Sequence, residues 1–290
     1  MAKAAELPLT AAGGTPESRI CPDTGLYFHV SAERLMKLHA VMGVVFLLIG
    51  GVIGLLMALT RWPAVHLLQA DTFYMLLTAH GVDVLIFWII FFEIAVLYFT
   101  SSTLLKVRLA APRWAWLGFA LMVIGAITTN VAIFQGRSSV MMTSYVPMAA
   151  EPEFYLGLIL FAVGALIGCF VFFGTLVLAR AERTYGDGSI PLVTFGALTA
   201  AIIAVFTIAS GAIILIPTFL WKIGYISHID PLMYRLIWWG LGHSSQQINV
   251  SAHIAVWYAI AAIVFGARPL SEKVSRSAFL LYILDRKAHV

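Results

Sequence analysis

Six long apolar runs, at roughly 37–61, 73–100, 114–135, 154–180, 191–221 and 232–266, decide what this chain can fold into. A hydrocarbon core about 30 Å thick is crossed by about 20 residues of helix. Inside that core a helix pairs its backbone groups within its own segment, which irregular chain cannot do. The runs therefore predict an all-α integral membrane protein with six transmembrane helices. The composition agrees, at 61% hydrophobic and 11% charged residues, too apolar for a soluble domain of this size to cover its surface. Trp62, Trp114, Trp116 and Trp221 fall near run ends, where interfacial aromatic belts lie. Beyond the sixth run, a polar turn with Arg268, Glu272, Lys273 and Arg276 leads into an apolar stretch at 278–284 that stops at Asp285-Arg286-Lys287. That stretch is too short to span and reads as a truncated seventh helix. The expected organisation is a cytoplasmic leader over 1–36, a six-helix bundle over 37–266, and a cytoplasmic tail with a short apolar stub over 267–290.

Charge placement gives the orientation. Of the 18 Lys and Arg residues, fourteen fall in the N-terminal segment, the second and fourth loops and the C-terminal tail. Only Arg61, Arg137, Lys222 and Arg235 fall on the other side. The positive-inside rule then puts both termini in the cytoplasm. The leader has no apolar core of the kind a signal peptide needs. The net charge of +4 follows from this loop bias and implies no nucleic-acid partner. Cys21 and Cys169 lie far apart in unlike settings, so neither a disulfide framework nor a cysteine metal site is expected.

Polar groups inside the runs carry the chemistry, because lipid penalises them unless they face a cavity, a metal or another helix. His80 sits in Leu76-Leu77-Thr78-Ala79-His80-Gly81-Val82, and His243 follows Trp238-Trp239-Gly240-Leu241-Gly242. By helical rise, His80 lies roughly 10 Å into span two and His243 roughly 18 Å into span six. Each imidazole is either an interhelical hydrogen-bonding group or a ligand for iron or copper. Gly81 would let a flat macrocycle approach the backbone. Asp83, one turn on, either orients His80, joins a proton path or pairs with a basic group. Below His243, Gln247 and Ser251 follow at one-turn intervals on the same face, with His253 and Tyr258 lower still. Such a row is either a proton-conducting track or polar packing between helices. Glu93 is either a proton inlet or a partner of Lys106 or Arg108. His39 is expected at the interface, and Thr128-Thr129-Asn130 is read as interhelical hydrogen bonding. No phosphate loop, nucleophile elbow or zinc spacing is present.

Three segments resemble subunit I of the heme-copper oxidase superfamily, which also contains nitric oxide reductases. Thr78-Ala79-His80-Gly81 resembles the second-helix motif whose histidine binds the low-spin heme. Thr143-Ser144-Tyr145-Val146-Pro147-Met148 resembles an outer-loop motif, Thr-Ser-Tyr-Pro-Pro-Leu. Asp230-Pro231-Leu232 with Trp238-Trp239-Gly240-Leu241-Gly242-His243 resembles the approach to the first active-site copper ligand. Glu153-Phe154-Tyr155-Leu156-Gly157 and Pro191-Leu192-Val193-Thr194 are similar to the B-type branch.

The resemblance implies half of a twelve-helix bundle. It assigns His80 as axial ligand of a low-spin heme, and His243 to active-site copper or a non-heme iron beside a high-spin heme. The remaining ligands are implied on a second chain carrying helices seven to twelve. Electrons are implied from cytochrome c, a copper-containing subunit or quinol, in a prokaryotic inner membrane. Where oxidases of this kind carry His-Pro-Glu-Val-Tyr, this chain has Ser244 and Gln247 in the proline and tyrosine positions. Glutamine forms no phenoxyl radical, which favours joining two NO molecules into N2O, a reaction of two electrons and two protons. Gln247 is then an active-site group, with Ser251 and Tyr258 delivering protons. The alternatives are an oxygen-reducing terminal oxidase whose radical tyrosine comes from elsewhere, or a non-catalytic heme-binding electron-transfer or assembly subunit.

Overall fold

The computed structural model describes residues 17–186 and 188–285. The first part of the expected leader and the last five residues of the expected tail lie outside the described residues. Among the described residues, six helices are long and apolar enough to cross a membrane: α1 Val30–Arg61, α2 Ala70–Thr103, α3 Pro112–Arg137, α4 Pro152–Ala181, α5 Leu192–Lys222 and α6 Pro231–Phe265. A seventh, α7, runs over Glu272–Asp285. Before α1, the strands β1 Ser18–Ile20 and β2 Tyr27–His29 form a short antiparallel hairpin. The first helix therefore starts seven residues earlier than the apolar run suggests. Its polar first turns are held by Glu33, which pairs with Arg19 at 2.5 Å and with Lys37 at 2.6 Å.

Sequence-adjacent helices pack antiparallel, and small residues let them do so. In α3 and α4, Gly125 and Gly157 face each other so closely that a Cβ on either would strike the partner's backbone. Gly118 and Gly164 repeat this two turns away. Lipid tails are as apolar as leucine, so association inside a bilayer depends on such close van der Waals contact and not on hydrophobic expulsion. Thr129 adds an interhelical hydrogen bond to the Phe154 carbonyl. The polar run Thr128-Thr129-Asn130 thus serves packing through its last two members, while Thr128 returns to the Ile124 carbonyl of its own helix.

The connections 62–69, 138–151 and 223–230 gather at one end of the bundle, called distal below. The three motif segments converge toward it. Asp230 caps α6, accepting from the Leu232 and Met233 amides at 2.7 and 3.1 Å, with Pro231 in the first turn. Ser144 pairs with the Tyr234 hydroxyl at 2.8 Å, and Tyr145 packs edge-on against Tyr234 and Trp238. Thr78 accepts from the Met141 amide at 2.9 Å, tying the same loop to α2.

Two features depart from the linear reading. The apolar stretch at 278–284 is part of a fourteen-residue helix. It turns back along α6 and α5, where Phe279 fills the space left by Gly196. Arg276 anchors its start by donating to the Ile190 carbonyl at 2.5 Å. Meanwhile α2 is not uniform: wide π turns occupy Asp83–Phe87 and Phe99–Thr103. Such turns insert one residue into the ladder and are frequent at functional sites.

Candidate functional site

His80 is set by its neighbour helix. Its Nδ1 donates to the Gly50 carbonyl on α1 at 2.8 Å. The ring lies over Gly54, where a Cβ would come within 2.9 Å of Cε1. The glycine that gives this ring room is therefore Gly54. Gly81, expected to open the backbone to a macrocycle, instead faces Met142 of the distal loop, 2.9 Å from where its own Cβ would be. With Nδ1 committed to a carbonyl, the tautomer is fixed and Nε2 carries the lone pair. An imidazole oriented in this way suits an iron ligand.

Asp83 is fully buried, and among the described residues no Lys or Arg pairs with it. Its Oδ1 accepts from the Asn130 amide on α3 at 2.8 Å. His39, expected at the interface, is 1% exposed. It is caged by Phe91, Tyr98 and Phe119, with Nδ1 on the Leu35 carbonyl at 2.8 Å. A neutral ring with its donor satisfied on its own helix is tolerated in the core, which sequence position alone could not reveal.

His243 is set by side chains. Its Nε2 lies 3.2 Å from Asp285 Oδ2 on α7, and the Gln247 amide donates to the same oxygen at 2.6 Å. Gln247 Nε2 is also 3.5 Å from His243 Nε2. Below them, the buried Ser251 hydroxyl donates to the Gly196 carbonyl on α5 at 3.0 Å. Tyr258 meets Ser275 of α7 at 2.9 Å. The row His243, Gln247, Ser251, Tyr258 thus shares one face of α6, turned toward α5 and α7. Asp285 was missed by the sequence reading, because it lies 42 residues from His243 and only the return of α7 brings it there.

The structure does not bring His80 and His243 into one pocket. The first ring turns toward α1 and the second toward α7. Among the described residues, no group of three His, Cys, Asp or Glu side chains is arranged to hold a metal. By helical rise the rings sit about 15 Å below the start of α2 and about 18 Å below the start of α6. Between α2, α4, α5 and α6 lies a cavity of about 260 Å3. It reaches Gly242 and Trp238 at one side and Glu93, Asn249 and Cys169 at the other. Its walls are otherwise mostly apolar. Glu93 pairs neither with Lys106 nor with Arg108, which is held by Glu182 at 2.8 Å. Its Oε1 accepts from the Asn249 amide at 2.7 Å once that amide is oriented to satisfy both groups.

The sequence profile of the family described as Cytochrome C and Quinol oxidase polypeptide I matches residues 34–284. The chain belongs to this family, subunit I of the heme-copper oxidases. The chain is 26% identical over 256 residues to cytochrome c oxidase subunit 1 of Thermus thermophilus, a match covering 84% of this chain and 44% of that protein. It superposes on a cryo-EM structure of a heme-copper terminal oxidase dimer with a TM-score of 0.80 and 23% identity, covering 88% of this chain and 45% of that one. The shared fold is therefore the helical membrane bundle of that oxidase. The chain spans about half the length of the curated relative it matches, 44% of that protein.

Proposed function

We propose that this chain is the N-terminal half of the catalytic subunit of a respiratory heme-copper reductase, acting with a second chain that carries helices seven to twelve. The observation that supports this most directly is the setting of His80: Nδ1 fixed at 2.8 Å by a backbone carbonyl of the adjacent helix, the ring seated over a glycine, and Nε2 left as ligand. This residue is the proposed axial ligand of a low-spin heme, and His243 the proposed ligand of active-site copper or non-heme iron. A heme bound there supplies one-electron chemistry between the donor and the active site. The chain's own residues do the rest. Gly54 and the Gly50 carbonyl fix the plane of the His80 ring. Thr78 pins the distal loop beside it. Asp285 holds His243 and Gln247 in one cluster, and Ser251 and Tyr258 lie on the same α6 face as candidate proton carriers.

In the His80→Ala protein, purified with its partner chain, the low-spin heme absorbance is expected to disappear while helical content stays unchanged. Full retention of that absorbance overturns the assignment. The electron donor is cytochrome c, a copper-containing subunit or quinol, in a prokaryotic inner membrane with both termini cytoplasmic.

The substrate reading rests on Gln247, an amide where a radical-forming tyrosine would stand. Reduction of NO to N2O needs two electrons and two protons and no phenol. The holocomplex is expected to consume NO faster than oxygen; robust oxygen consumption without NO consumption overturns this. The Thermus thermophilus relative, described as a cytochrome c oxidase subunit, favours a second reading in which oxygen is the substrate and the missing tyrosine comes from the partner chain.

A further inference from the structure

Glu93 has a setting that the assignments above do not use. It is 9% exposed in the middle of the bundle, and among the described residues no Lys or Arg pairs with it. One carboxyl oxygen is held by the Asn249 amide on α6. The residue borders two separate voids. On one side is the cavity of about 260 Å3 that reaches Gly242, next to His243. On the other is a notch of about 10 Å3 between α2 and α6, lined by Trp88, Phe92, Glu93 and His253. A void of roughly that size holds a single water. His253 is exposed on the outer face of α6, with Nδ1 donating to the Asn249 carbonyl at 2.7 Å, which leaves Nε2 outside that bond. The other titratable group facing Glu93 is Cys169 of α4, across the cavity. α5 contributes only Thr207 as a polar wall, and no cation lines either void.

We propose that Glu93 is a proton-relay carboxyl connecting the lateral notch at His253 to the central cavity. The step is a simple transfer: a proton leaves His253 Nε2 for a water in the notch, and that water gives one to the Glu93 carboxylate. The resulting acid then releases its proton into the cavity, with no electrons moved. Asn249 is a positioning residue, since its carbonyl holds His253 and its amide holds Glu93. An acid that carries no permanent counterion, placed between two voids inside a membrane, fits transit of protons better than a structural ion pair. The purpose of the relay, delivery toward His243, rests on the proposed reductase function. Its existence does not.

The test is infrared spectroscopy of the purified complex in lipid vesicles. Subtracting the Glu93→Gln spectrum from wild type isolates the carbonyl stretch of the protonated Glu93 acid. In deuterated buffer that band is expected to shift rapidly, and His253→Phe is expected to slow the shift by about a hundredfold, the scale of one positioned acid–base group. Should Glu93→Gln fail to assemble, Glu93→Asp serves, because it keeps the acid and displaces its band. Absence of any protonated band, or exchange equally fast in His253→Phe, overturns the relay. A complex that exchanges as expected yet reduces neither NO nor oxygen refutes the proposed function and leaves the relay standing.

Discussion

His80 and His243 are fixed by different kinds of atoms. The first is held by main chain: a carbonyl of α1 and the bare face of Gly54, both part of a helix pair that packs along much of its length. The second is met by side chains, Asp285 of α7 and Gln247 one turn along its own helix among them. A backbone acceptor moves only if a helix moves. A carboxylate on a flexible side chain, about half exposed at 47%, adapts to whatever else arrives. The α1–α2 seam is thus set by main chain, while the α6–α7 face can still rearrange through its side chains.

The strongest way to break this contrast is Gly54→Val. A branched side chain pushed into the His80 ring forces it off its carbonyl, with overpacking costing about 1–3 kcal/mol. The expected result is near-complete loss of low-spin heme absorbance with all six spans still inserted. Retained heme would show that the seam is less rigid than its contacts indicate. Asp285→Ala tests the other region. Removing an outer partner of a ligating histidine typically costs 10–100-fold in metal affinity. Titrating copper or iron into the purified complex should show a drop of about that size, with the heme spectrum untouched. If affinity is unchanged, Asp285 is displaced when metal binds and plays no orienting part.

Ser251→Ala gives the smallest effect and sharpens the row below His243. As an interhelical bond to Gly196 it is worth about 0.6 kcal/mol, the average for such bonds in a membrane. Thermal unfolding should move only slightly. A large fall in turnover at unchanged stability would instead mark Ser251 as a proton carrier.

The spans were legible because apolar length alone specifies a membrane helix, so α2 to α6 fall close to their runs. The start of α1 was not, since Glu33 looks like a loop residue until Arg19 folds over it. His80 and His243 stood out because lipid makes an imidazole conspicuous. Their partners did not: Gly50, Gly54 and Asp285 are unremarkable in the chain, and only the antiparallel register of α1 on α2 and of α7 on α6 delivers them. The burial of His39 was hidden for the same reason, its cage being drawn from two other helices, α2 and α3.

The wide turn at Asp83–Phe87 separates the two working ends of α2. One extra residue there rotates everything downstream by about 100° relative to a regular helix. That phase offset sets which face of the rod Glu93 turns toward α6. Refolding 83–87 as regular helix at unchanged length would leave His80 on its carbonyl and swing Glu93 by that angle, out of reach of Asn249.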